Sequence, residues 1–283
     1  MCRLFGLTAA PHRTKATFWL LDAPDSLTAQ SHRDPEGAGL GFFTDDGEAR
    51  VHKAPIAAYE DRCFAEEAKQ VSSTTFIAHV RYASTGGLDM KNTHPFRQDN
   101  RLFAHNGVVE GLDRMDARLG PDRSLVRGDT DSERVFALIT GEIRANGGDV
   151  TAAITTTARW IAEQLPLFAL NVLLISDREL WALRYPETHR LYALERPPAH
   201  LRHEGTDGRI RVHSSDLATM PCVVVASERM DDDPGWRLME PGELLHVDGA
   251  QRVHRKIILP DPPRHQMSLR DLRPEAAASQ HSV

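Results

Sequence analysis

The chain has 283 residues, 41% of them apolar and 26% charged, enough for one large domain or two small ones, and a composition that excludes collagen-like, coiled-coil and wholly disordered chains. Its 34 basic and 40 acidic residues leave a net charge of −6, and no dense basic run occurs. Neither nucleic acid nor an anionic membrane is therefore supported as a partner, and a small molecule is expected.

Cys2, Cys63 and Cys222 lie far apart with no CxxC pair, a poor framework for disulfides and a good fit to the reducing cytoplasm. The apolar stretch 169–175, interrupted by Asn171, is far short of the ~20 residues that a membrane helix needs. The first six residues, Met1-Cys2-Arg3-Leu4-Phe5-Gly6, have no charged region leading into an apolar one, so no secretion signal is read and the working fold is expected to begin at the start codon.

In chain order, β-rich runs are expected at 3–7, 39–44, 74–82, 101–109, 170–176, 222–226, 243–247 and 253–259. Several are apolar at nearly every residue, which suits strands covered on both faces. Helices are expected at 15–21, 61–70, 132–145 and 150–165. The third places Val135, Phe136, Leu138, Ile139 and Ile143 on one side, and the fourth does so with Ile154, Trp160, Ile161 and Leu165. The stretches 111–130 and 195–221 carry Pro, Gly and scattered charge and read as loops. Residues 2–259 are thus expected to form one α+β domain, and the polar, Pro-rich 260–283 a disordered tail.

Cys2 becomes the first residue if Met1 is removed. One residue then carries a thiol and a free α-amine that titrates near ~8 and accepts a proton at neutral pH. Composition alone offers a plainer reading, a small buried hydrophobe on the first strand. Three clusters supply what acyl transfer needs beside a nucleophile. In Ala78-His79-Val80-Arg81-Tyr82-Ala83-Ser84-Thr85 an arginine at a strand end could grip a carboxylate, or simply be solvated. In His105-Asn106-Gly107 the dipeptide reads either as a hairpin turn or as an amide and an N–H converging on an oxyanion. In Asp129-Thr130-Asp131-Ser132-Glu133, Thr130 and Glu133 form a capping box, which leaves Asp131 for a ligand ammonium.

Taken together, these segments resemble the class II glutamine amidotransferases, whose glutaminase domains are N-terminal-nucleophile hydrolases. The resemblance runs in order through Cys2-Arg3-Leu4-Phe5-Gly6, His32-Arg33-Asp34 with Gly37–Phe43, Arg81-Tyr82-Ala83-Ser84, Asn92-Thr93-His94-Pro95-Phe96, His105-Asn106-Gly107 and Asp129–Glu133. It is nearest to small stand-alone members that act as γ-glutamyl amide hydrolases. It implies a four-layer αββα sandwich with Cys2 as nucleophile and its own amine as base. Asn106 and Gly107 would form the oxyanion hole, Arg81 would bind the substrate α-carboxylate and Asp131 its α-ammonium. Ser84 and Thr85 would shape the pocket, and His94 would fix its loop. No cofactor is implied. Fourteen histidines raise the thought of a metal hydrolase, but they are scattered without ligand spacing, so no metal is expected. Glu36-Gly37-Ala38-Gly39 stands where relatives often have Asp-Gly-Trp-Gly, and Thr85 where larger members have His. Both departures touch the leaving-group side of the pocket. Two alternatives stay open: a catalytically silent γ-glutamyl-binding module, and a glutaminase subunit feeding ammonia to a separate synthase.

Overall fold

A computed structural model describes residues 2–82, 89–196, 221–278 and 280. Its strands, in chain order, are β1 (Arg3–Thr8), β2 (Ala38–Phe43), β3 (Ala49–Ala54), β4 (Thr75–Val80), β5 (Phe96–Gln98), β6 (Arg101–Val109) and β7 (Pro166–Ile175). They continue with β8 (Leu180–Arg184), β9 (Tyr192–Arg196), β10 (Cys222–Ala226), β11 (Arg237–Leu238), β12 (Glu243–Val247), β13 (Val253–Ile257) and β14 (His265–Gln266). The α-helices are α1 (Leu27–Gln30), α2 (Arg62–Gln70), α3 (Leu112–Leu119), α4 (Asp131–Ala145), α5 (Val150–Gln164) and α6 (Pro274–Ala278).

The strands form two sheets. One runs β11-β9-β10-β1-β4-β2-β3 and the other β13-β12-β8-β7-β6-β5, with β14 added in parallel to the start of β7. Side chains alternate across each strand. On β1, Leu4 joins Ile77, Leu102 and Leu173 between the sheets, whereas Phe5 and Leu7 face outward onto Trp19, Leu27 and Phe64 beneath the α1 and α2 layer. The outer face of the second sheet is covered by Phe136 and Ile139 of α4 and Ile154 and Ile161 of α5. The result is the αββα sandwich. It explains why β1, β4 and β10 are buried at every residue: each has a packed layer on both sides.

One open alternative is settled and three expectations need correction. Asn106 and Gly107 are not a turn but lie inside the unbroken β6, opposite Asn171 and Leu170. The expected loop at 111–130 contains α3 and a 3-10 segment, Gly120–Leu125. Only Met115 and Leu119 of α3 are buried, too few apolar residues to show a period. The helix expected at 15–21 is a single π turn, Phe18–Asp22. The stretch expected to be a disordered tail carries β14, a 3-10 turn (Leu269–Asp271) and α6, and its Leu272 and Ala276 pack on Val108, Phe168 and Ala169. A few apolar contacts and the start of β7, which β8 does not reach, hold this segment despite its polar composition. Of the loop expected at 195–221, Glu195 and Arg196 finish β9, and 197–220 lie outside the described residues.

Candidate active site

Cys2 lies one residue before β1, in the seam between the sheets. Its Sγ donates to the Tyr82 carbonyl at 3.2 Å and accepts from the Tyr82 N–H at 3.3 Å, just past the end of β4. From the opposite sheet, Asn106 Nδ2 donates to the Cys2 carbonyl at 2.8 Å. Burial pushes the Cys2 thiol up, and the Tyr82 N–H and the Arg81 charge only partly oppose it while Asp34 adds to it. The resting group is therefore a neutral thiol that needs a base before it can attack. Next to it, the buried Arg3 guanidinium stands 3.8 Å from the fully buried Asp34 and 3.8 Å from Glu228, which pins the first strand beneath the thiol.

Arg81 is not a solvated strand tip. It is 3% exposed, and the 36–37 turn holds its backbone: its N–H donates to the Gly37 carbonyl at 2.8 Å and its carbonyl accepts from Glu36 N–H at 3.2 Å. Burial lowers the guanidinium pKa, with the charges of Cys2 and Glu36 acting against that. Gly107 is required by close approach. A Cβ there would fall 1.9 Å from the Ala169 carbonyl oxygen and 2.6 Å from His105 Nε2.

The start of α4 docks against β6. Thr130 accepts the cap bond from Glu133 N–H at 3.2 Å. The expected capping box is only half formed, because the Glu133 carboxylate turns instead to Gly128 N–H (2.6 Å) and Arg127 N–H (3.1 Å). Asp131 is buried, and its Oδ2 accepts from Val109 N–H at 2.9 Å, where the ladder of β6 shifts register. Ser132 Oγ is 2.9 Å from His105 Nδ1. Asn92 Oδ1 accepts from Asp129 N–H at 2.9 Å and so ties the Asn-Thr-His-Pro segment to the same corner.

Cys2, Arg81, Asn106 and Gly107 share the wall of one cavity. Thr130 and Ser132 line it too, whereas Asp131 between them is buried with its carboxylate on Val109. Ser84 and Thr85 lie outside the described residues. Sequence reasoning missed Tyr82, whose backbone brackets the thiol, and Gln280, which is 8% exposed and lines the cavity from the far end of the chain. Nothing local marks Gln280, because its position depends on α6 packing more than 100 residues beyond β7 in sequence.

Beneath the cavity is a floor of buried imidazoles. The rings of His79 and His94 are 4.2 Å apart, and His94 meets Phe96 edge-on at 4.6 Å. Burial holds His79 down to about 3, His189 down to about 4, and His94 well below its ordinary value; neighbouring positive charges push His79 and His94 further in the same direction. These rings are neutral at pH 7, so the site holds the Arg81 cation without companions from this floor. Their folded pKa values lie below the unfolded ~6.5. The unfolded chain thus binds more protons between about pH 6.5 and pH 3, and the linkage sign makes stability fall as pH drops through that window. Urea unfolding at pH 7, 6, 5 and 4 is expected to show a midpoint that declines with each step below 6.5. A flat profile would mean that these rings are protonated in the fold.

Residues 1–268 match the family model for class II glutamine amidotransferases. The chain is 30% identical over 263 residues to a γ-glutamyl-hercynylcysteine sulfoxide hydrolase of Mycolicibacterium smegmatis, an alignment that covers 89% of this chain and 98% of that one. Among solved structures, a class II glutamine aminotransferase domain protein of Silicibacter pomeroyi superposes with a TM-score of 0.62 at 18% identity over 91% of this chain and all of that one. The glutamine phosphoribosylpyrophosphate amidotransferase of Bacillus subtilis does so with 0.64 at 22% identity, over 92% of this chain and 50% of that longer one. The chain belongs to the class II glutamine amidotransferases and is an enzyme of that family. Its αββα sandwich is the fold those structures share.

Proposed function

We propose that this enzyme hydrolyses the γ-amide of a γ-glutamyl compound, with Cys2 as nucleophile. The observation that carries the reading is the convergence on Cys2 of the Tyr82 backbone from one sheet and the Asn106 amide from the other, in a cavity that also holds Arg81 and Gly107. Once Met1 is removed, the Cys2 α-amine takes the thiol proton and Sγ attacks the γ-carbonyl carbon. Asn106 and Gly107 N–H steady the oxyanion, and the amine returns the proton to the departing nitrogen as the C–N bond breaks. Water then cleaves the thioester, giving glutamate and the freed amine. Arg81 holds the α-carboxylate. Asp131, oriented by Val109 N–H, holds the α-ammonium.

The hydrolase relative, matched almost end to end, favours direct cleavage of a specific γ-glutamyl metabolite over delivery of ammonia to a separate synthase. Cytoplasmic residence belongs to this reading, since Cys2, Cys63 and Cys222 are free and the nucleophile must stay reduced. No helix among the described residues is long and apolar enough to cross a membrane. The head-group contacts make a direct test. Glutamine should be hydrolysed at least about 10²-fold faster than N-acetylglutamine, because the acetylated substrate leaves a buried carboxylate without its partner. Equal kcat/KM for the two would remove Asp131 from substrate binding.

A further inference from the structure

A second hollow of about 490 Å3 opens between β3 and β5, the edge strands of the two sheets. It shares two walls with the Cys2 cavity. Along segment 91–96, Asn92 and His94 line the cavity, whereas Lys91 and Phe96 line the hollow. Segment 127–133 divides in the same way, with Thr130 and Ser132 toward the cavity and Arg127 and Glu133 toward the hollow. The size is that of a small-molecule site.

Its charge is opposite to that of the protein. Arg50, Lys53, Lys91, Arg97 and Arg127 line it against one acid, Glu133, in a chain whose net charge is −6. Glu133 is already engaged by two backbone N–H groups. Lys91 pairs with Asp129 at 3.0 Å and Arg97 with Glu48 at 3.2 Å. Among the described residues, no acid lies within ion-pairing distance of Arg50, Lys53 or Arg127. Lys53 is the most constrained of the three. Its Nζ donates to the Thr93 carbonyl at 2.7 Å and sits 5.0 Å from the centre of the Phe96 ring, and burial draws its pKa down to about 8. A cation held half out of water, over an aromatic floor and with no counterion, favours an incoming oxyanion.

The geometry points to a leaving-group subsite: the hollow receives a carboxylate or phosphate carried on the amine half of the γ-glutamyl substrate, with Lys53, Arg50 and Arg127 as its contacts. This rests on the hydrolase reading above and extends it. The γ-glutamyl half is held on the Arg81 side, glutamine itself has only ammonia to release, and a basic hollow behind shared walls serves a larger departing amine. It also lies on the side where Glu36–Gly39 departs from the relatives' pattern: Gly39 on β2 packs so closely here that a Cβ would lie 2.1 Å from the His94 carbonyl oxygen and 2.9 Å from Lys53 Cβ.

The test compares γ-glutamylglycine and γ-glutamyl-2-aminoethylphosphonate, whose departing amines are anionic, with glutamine and γ-glutamylmethylamide, whose departing amines are not. Wild-type enzyme should favour the anionic pair in kcat/KM. Arg50→Gln and Arg127→Gln, both on exposed side chains, should each lower that preference roughly tenfold, the size of one charge-assisted hydrogen bond, and leave glutamine turnover unchanged. Lys53→Met should act in the same direction, with its fold checked by thermal unfolding. No preference in the wild type, or equal losses on all four amides, would overturn the proposal. So would stimulation of glutamine hydrolysis by added inorganic phosphate, which would assign the hollow to a free effector. If none of the four amides is cleaved, the hydrolase reading fails separately, and phosphorus NMR titration of the Cys2→Ala protein with inorganic phosphate still decides the hollow. Binding lost in the Arg50→Gln/Arg127→Gln double variant sustains an oxyanion site there, and unchanged or absent binding overturns it.

Discussion

Cys2→Ala is expected to lower the release of glutamate from glutamine by roughly 10⁴-fold or more, the scale seen when a covalent nucleophile is removed. The same change should alter unfolding free energy by no more than about 1 kcal/mol, since Cys2 is only partly buried and precedes β1 rather than joining its ladder. The loss follows from the thiol's surroundings. Held neutral by burial and bracketed by the Tyr82 N–H and carbonyl, the sulfur has no acid or imidazole hydrogen-bonded to it among the described residues, in keeping with the proposed role of its own α-amine as base. That amine exists only in a protein lacking Met1, so the active wild type should show an intact mass short by one methionine and should take a γ-glutamyl-directed electrophile on Cys2. Neither other cysteine is placed to substitute. Cys222 lies buried in β10, with its thiol pushed up to about 11, and Cys63 is exposed on α2. Near-normal turnover by Cys2→Ala would take the chemistry away from this cavity altogether.

The second large effect is expected at Asn106. Loss of one oxyanion donor costs about 10² to 10³ in turnover, and Asn106→Ala should show that loss in kcat more than in KM. The 2.8 Å bond from Asn106 Nδ2 to the Cys2 carbonyl gives the residue a further part in the proposed mechanism, in which one amide hydrogen anchors the Cys2 backbone and the other serves the oxyanion. The isosteric Asn106→Asp keeps the shape but replaces donors with a negative charge where negative charge develops, so it should be at least as slow as the alanine variant. Steady-state kinetics on both variants, beside circular dichroism to confirm the fold, check this. An aspartate variant that matches wild type would reduce Asn106 to a structural group.

Why these residues were legible as candidates is visible in their surroundings. Cys2, Arg81 and Asn106-Gly107 each sit on or beside an apolar strand whose burial is written in its own residues, so placing the strands placed the side chains. The Asn-Gly pair shows the limit of local reading. The same dipeptide serves a hairpin or a strand, and what decides is the 1.9 Å approach of Ala169, about 60 residues away in sequence. Edge strand β3 escaped notice because most of its length is only half-buried and it carries Arg50, His52 and Lys53. The Thr130–Glu133 pattern named the right cap and the wrong partner for the glutamate, since Gly128 and Arg127 offer N–H groups that the box does not foresee. The segment 260–278 was misread for a related reason: its order comes from β7 and from Phe168, not from its own composition.

The Cys2 cavity takes one wall from the second residue of the polypeptide and another from residue 280. A ribosome adding ~5–20 residues per second therefore releases the thiol first and its last enclosing side chain tens of seconds later. The cavity cannot be completed until Gln280 has emerged. A methionine-removing peptidase thus has the interval between synthesis of Cys2 and of Gln280 in which to expose the proposed α-amine before the chamber is complete.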